Sequence, residues 1–190
     1  MSGKYRYDVG IEHLLISPGH AYFGRARDGA ADVATVDAET AQLVTGKGIV
    51  GDRFFGKAAH MDAAVTLIAV EALEAIAVEL GVPAFDPLLT RRNVVIRGAQ
   101  LAPLLGQEFA LETGSGSVVL RGGRPANPCA WMDRMLAPGA HAAMRGRGGI
   151  RCQVVSGGEL MRGPAVLVSP VPLDAGRAGE AVMLRASRLP

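Results

Sequence analysis

Apolar residues in this chain come in short runs, and nearly every run is closed by glycine or proline. That spacing constrains the fold more than any other feature. Glycine and proline punctuate strands and stop helices, so the chain can build many short strands and few long helices. Glycine supplies 25 of the 190 residues, well above the ordinary share of ~7%. Aromatic residues make up only 5% within an apolar fraction of 49%. The core must therefore be assembled from Ala, Val and Leu, with glycine placed where the backbone turns or is approached closely.

Several classes drop out on composition. No apolar run is long enough for a transmembrane helix, and MSGKYRYDVG has no apolar stretch of the signal-peptide kind. A formal net charge of +2 does not argue for nucleic acid. Cys129 and Cys152 do not make a disulfide framework, so a cytoplasmic chain with reduced thiols is expected.

Strands are expected at Val9–Ser17, Val33–Val36, Val65–Ala69, Asn93–Ile96, Arg151–Val155, Ala165–Val168 and Ala181–Leu184. Gln107–Leu111 and Ser117–Leu120 suit a hairpin over Thr113–Gly116. Residues Asp37–Thr45 fit a helix or a strand equally. Glu71–Leu80 has the helical period, with Leu73, Ile76, Ala77 and Leu80 on one face, Gly81 as the stop and Pro83 beyond it. Short helices are expected at Ala130–Leu136 and Ala140–Met144. A regular βαβ alternation is absent. The pattern predicts one domain over residues 1–190, mainly β with appended helices (α+β), as a barrel or a sandwich.

Four segments could carry chemistry. Cys129 follows Pro128, and a helix starting at Ala130 would place its thiol at a helix N-terminus, which favours thiolate, the form that acts as nucleophile and soft metal ligand. The alternative is a small buried hydrophobe, the expectation for Cys152. Thr90-Arg91-Arg92-Asn93 could bind a phosphate or another planar anion, or the arginines could pair with carboxylates in solvent. Asp52 and Arg53 are adjacent, so on a strand they would point to opposite faces. In Arg145–Arg151, glycines between arginines would let backbone N–H groups approach an anion. No Walker loop, dinucleotide fingerprint, HExxH or GxSxG occurs. Neither Lys47 nor Lys57 has the context of a pyridoxal phosphate Schiff base.

Taken in order, the segments resemble the MOSC domain, the module named for the C-terminal part of molybdenum-cofactor sulfurase. The matching stretches are Gly48–Arg53, Arg91–Gly98, Leu104–Phe109, Asn127-Pro128-Cys129, Arg147–Arg151 and Gly157–Gly163. The resemblance spans roughly residues 9 to 168, leaving a C-terminal extension over 169–190. Pro164 stands where the family usually has an acidic residue. The resemblance implies a MOSC-type β-barrel and a molybdenum cofactor (molybdopterin). Cys129 would ligate molybdenum or carry sulfur, with Arg91, Arg92, Asn93, Arg53 and Arg147 as cofactor-binding residues. Two activities follow from it. One is an oxidoreductase that reduces small N-hydroxylated compounds with electrons from a separate redox protein. The other is a sulfur carrier with a persulfide on Cys129, loaded by a donor such as a cysteine desulfurase. A regulatory ligand-binding barrel, in which Cys129 merely packs, is the third expectation. Neither nucleic acid nor membrane is expected as a partner.

Overall fold

The computed structural model describes residues 4–182. Seven strands close into a barrel in the order β11-β7-β8-β9-β5-β6-β1, with β1 pairing back onto β11. The strands are β1 (Tyr5–Ile16), β5 (Val65–Ala69), β6 (Val94–Arg97), β7 (Glu108–Thr113), β8 (Gly116–Pro125), β9 (Ile150–Ser156) and β11 (Gly163–Ser169). A short strand, β2 (Val36–Asp37), hangs on the far end of β1, while β10 (Gly158–Met161), β3 (Thr40–Val44) and β4 (Gly48–Ile49) form a separate three-stranded sheet. The ambiguous segment 37–45 is thus extended. Closure removes the sheet edges that would otherwise present unpaired backbone groups.

β1 begins four residues before the expected start at Val9. Its polar first half pairs with β11, from Tyr5↔Ser169 to Ile11↔Gly163, and its second half pairs with β6. A register shift between Ile11 and His13 marks the change of partner. β5 and β6 lie parallel, joined through α1 (Val70–Leu80), so one βαβ crossover sits in an otherwise antiparallel barrel. Gly81 adopts the left-handed conformation (φ 63°) and its N–H closes onto Ala77 and Val78, ending the helix where the sequence places the stop. The other α-helices among the described residues are short, α2 (Trp131–Met135) and α3 (Ala140–Ala143).

Alternation along β5 divides the core in two. Leu67 and Ala69 face the barrel interior with Phe109, Leu111, Leu120 and Ile96. Ile68 faces outward onto Leu73, Ile76, Trp131, Met132 and Met144. The barrel is thus filled by small aliphatic side chains, and the helices cover one outer wall. Gly149 allows the loop before β9 to pass β5: a Cβ there would lie 1.9 Å from the Leu67 carbonyl oxygen, at a φ of 86°. No strand forms at Ala181 and Val182, and the rest of that expected strand lies outside the described residues. Among the described residues, no helix is long and apolar enough to cross a membrane.

Candidate functional site

The site grows from the turn that feeds β6. Asp86 caps a one-turn 3-10 helix at Pro87–Thr90, its Oδ1 accepting from the Leu88 N–H at 2.9 Å. The turn ends on Arg91 in the left-handed region (φ 56°), the one non-glycine residue with positive φ among the described residues. That conformation costs on the order of 1–2 kcal/mol. It is held because the side chains of Arg91, Arg92 and Asn93 each reach a different part of the molecule.

Arg91 ties down the loop that follows β1. Its Nη2 donates to Ser17 Oγ (2.8 Å) and the Gly19 carbonyl (2.7 Å), and its Nη1 donates to Thr35 Oγ1 (3.1 Å). Arg92 turns the other way and donates to the carbonyls of Gly148 (3.0 Å), Thr90 (3.1 Å) and Ala126 (2.8 Å). It thereby locks the loop that carries Cys129. Asn93 is fully buried. Its Oδ1 accepts from Thr66 N (3.0 Å) and Thr66 Oγ1 (2.8 Å), and its Nδ2 donates to the Leu15 carbonyl (3.1 Å) and to Asp52 Oδ2 (3.0 Å). Neither arginine pairs with a carboxylate at the surface. Both are buried, and the partners that replace solvent are mostly backbone carbonyls.

Asp52 and Arg53 lie on a turn after β4 rather than on a strand, so they do not point to opposite faces. Asp52 Oδ1 accepts from the Phe54 N–H, and Arg53 Nη1 donates to Asp52 Oδ2 at 3.2 Å. Arg53 Nη2 reaches the Arg91 carbonyl at 3.0 Å. The two arginine segments, far apart in sequence, are therefore joined in one network.

Cys129 is exposed, and Cys152 is buried in the barrel core. Burial pushes the Cys152 thiol far above its ordinary range, so it stays protonated and unreactive. The helix after Cys129 starts at Trp131 and spans only five residues. Cys129 precedes it by a full residue beyond the cap at Ala130. The expected helix N-terminus is therefore not what surrounds the thiol, because a single turn lacks the aligned peptides that make a macrodipole.

What surrounds it is arginine. A cleft of about 210 Å³ is lined by Cys129, Arg53, Arg91, Arg92 and Arg151, with His20, Tyr22 and Asn127. Among the described residues, Asp52 is the one carboxylate in ion-pair contact with these four guanidinium groups, and Asp62 acts on Arg151 from farther away. Burial lowers the pKa of each arginine, and neighbouring arginines lower Arg53, Arg92 and Arg151 further. Arg92, the most deeply buried, falls to about 10, which leaves it charged at neutral pH. The Arg151 guanidinium has no hydrogen bond or ion pair among the described residues, and it lines the cleft. Tyr22 closes one side. Its ring stacks on Trp131 (centroids 5.2 Å apart, 11° between planes), and its hydroxyl donates to the Leu89 carbonyl at 2.5 Å.

Arg147 is not part of this cluster. Its Nη1 pairs with Glu79 of α1 at 2.8 Å, and it lines a different cavity beside Gln100 and Arg177. Glycine at 146, 148 and 149 reshapes the loop, so that of the two arginines in the motif Arg151, rather than Arg147, lines the cleft. His20 and Tyr22 had no motif to announce them. Their only sequence signal is Pro18-Gly19, which places them in the loop just beyond the end of a strand.

The described residues thus form a closed barrel whose exposed thiol, Cys129, lies in an arginine-lined cleft. The family model for the MOSC domain matches residues 46–167, and the chain belongs to the MOSC domain family, which is associated with molybdenum-cofactor binding. The solved structures it resembles agree on the fold. The YUAD protein from Bacillus subtilis superposes with a TM-score of 0.66 at 21% identity, over 86% of this chain and 96% of that one. YiiM from Geobacillus stearothermophilus gives 0.58 at 17%, over 85% and 75%. YiiM from Escherichia coli gives 0.54 at 19%, over 92% and 76%. No curated protein matches the chain by sequence.

Proposed function

We propose that this protein binds molybdenum cofactor in the arginine cleft, with Cys129 as the metal ligand, and reduces small N-hydroxylated compounds using electrons from a separate redox protein. The donor set fits the group. A thiolate suits a soft, high-valent metal, and guanidinium groups suit the phosphate of the pterin. The observation that carries the reading is the charge imbalance: four guanidinium groups and an exposed thiol line one cleft, and Asp52, behind that lining, is the one carboxylate in ion-pair contact with them among the described residues. Buried positive charge left without a counter-ion is costly, and an anionic ligand relieves it.

The residues divide by what their hydrogen bonds leave free. The Arg151 guanidinium has no partner among the described residues and takes the direct contact with the anion. Arg53 and Arg91 supply charge while bracing the loop after β1. Arg92 and Asn93 act through others, since their bonds fix the Cys129 loop and the Asp52 turn. When bound, the cofactor supplies a two-electron redox centre. The overall change takes in two electrons and two protons, breaks the N–O bond and releases amine and water.

Expression in a host that makes the cofactor, followed by metal analysis, tests this directly. Wild type should retain molybdenum near one equivalent and Cys129→Ala should lose it; two equally empty preparations overturn the reading. The exposure of Cys129 also favours a second activity, sulfur carriage on a persulfide loaded by a cysteine desulfurase. Mass spectrometry after incubation with a desulfurase distinguishes the two, because only a carrier gains one sulfur atom on Cys129.

A further inference from the structure

Of the arginines in the loop from Arg145 to Arg151, Arg147 pairs with Glu79 and Arg151 lines the arginine cleft. Arg145 does neither. Its side chain is exposed and lines a second groove, of about 410 Å³. That size falls in the range of small-molecule sites, ~300–1,000 Å³. Among the described residues, Asn127 is common to this groove and the arginine cleft, and Pro128 of the groove directly precedes Cys129. The two hollows therefore meet beside the thiol.

Contacts elsewhere hold the groove open. Arg92 donates to the carbonyls of Ala126 (2.8 Å) and Gly148 (3.0 Å), so one buried guanidinium clamps both loops that form its walls. The Ala126 N–H closes the same clamp on the Gly149 carbonyl at 2.9 Å. Gly146, at a φ of 76°, lets the chain at Val182 come alongside. The Val182 N–H donates to the Gly146 carbonyl at 3.0 Å, and a Cβ on Gly146 would lie 2.8 Å from the Val182 carbonyl oxygen. A site fixed before its ligand arrives loses little to ordering.

The polar groups of the groove are accessible and unpaired. Asn127 is exposed, as Arg145 is, and neither side chain has a hydrogen bond or ion pair among the described residues. His141 is half-buried; its backbone N–H is taken by Asp133 Oδ1 at 2.7 Å, while its ring makes no hydrogen bond among the described residues. No acidic side chain among the described residues lines the groove. A guanidinium fork beside an amide and an imidazole matches the two oxygens of a carboxylate. The rest of the lining, Pro125, Pro128 and Val182, is aliphatic, and it gains by covering hydrocarbon.

We propose that this groove binds a small aliphatic carboxylate, its charge held by Arg145 with the Asn127 amide and the His141 ring, and its hydrocarbon laid against Pro125, Pro128 and Val182. The groove needs no cofactor for this. The view that the acid is a substrate, with its reducible end reaching past Asn127 to Cys129, rests on the function proposed above.

Isotope-labelled full-length protein titrated with sodium hexanoate provides the test, with resonances followed by two-dimensional NMR. Sodium acetate keeps the charge without the chain, and 1-hexanol keeps the chain without the charge. Hexanoate should move the signals of Asn127, Arg145, Gly146 and Val182 and bind at least about fivefold more tightly than either control. Arg145→Gln, at an exposed position, should weaken hexanoate about fivefold. Equal binding of acetate or hexanol, no effect of Arg145→Gln, or shifts confined to Arg151 and Cys129 would each overturn the proposal. Molybdenum content is measured independently of these titrations, so the groove and the cofactor reading fall separately.

Discussion

Replacing Asn93 by aspartate changes one buried NH2 group to a carboxylate oxygen and little else in shape. In the native network, Nδ2 donates to the Leu15 carbonyl at 3.1 Å and to Asp52 Oδ2 at 3.0 Å. The substitution removes both donors and sets a second negative oxygen about a hydrogen-bond length from Asp52. Losing a neutral bond costs ~1 kcal/mol, and losing a bond to a charged acceptor costs ~1.5–3 kcal/mol. The expected penalty at pH 7 is thus roughly 2.5–4 kcal/mol. With a urea slope of about 2 kcal/mol/M, the midpoint should fall by about 1.3–2 M. The penalty also has a pH signature. Two carboxyls in one buried site raise the pKa of the pair above the unfolded value of ~3.9. The folded state then binds more protons than the unfolded one, so lowering the pH from 7 towards 4 should restore stability relative to wild type. Urea titrations at several pH values measure both effects. A variant within about 0.5 M of wild type at pH 7, or a gap that does not narrow on acidification, would refute the idea that Asn93 braces the site through Asp52.

Three further outcomes follow from the geometry. Gly149→Ala should destabilise the fold by several kcal/mol, because its Cβ would overlap the Leu67 carbonyl, whereas Gly24→Ala, with no atom within 4 Å, should cost only ~1–2 kcal/mol for its positive φ; calorimetry compares them. Iodoacetamide should label one thiol, Cys129, in the native protein and both in urea, as mass spectrometry can count. The His20 imidazole should titrate below a free histidine, and Arg53→Met should move its NMR midpoint upward by removing a neighbouring positive charge.

Much of the fold was legible because its signals are local. Gly81 and Pro83 bound α1 at its C-terminal end, and Leu73, Ile76 and Ala77 are its buried face. The hairpin of β7 and β8 forms over the glycine-rich turn between them. The separation of the cysteines also holds, with Cys129 exposed beyond its proline and Cys152 inside the barrel. Less legible was the start of β1, whose polar residues Tyr5–Asp8 are strand only because β11 lies beside them. The parallel pairing of β5 with β6 likewise depends on where α1 packs.

The sequence by itself determined a glycine-punctuated, small-aliphatic β protein with one good helix, one buried thiol and one thiol at a proline corner. Turn chemistry, helix period and strand alternation act over a few residues, so they can be read from the chain. Which arginines share the site is set by long-range packing. It brings Arg53 within 3.0 Å of the Arg91 carbonyl across 38 positions, admits Arg151 to the cleft and sends Arg147 to Glu79. A charged side chain finds its place through burial and partners far away in the sequence, and those are set only when the barrel closes.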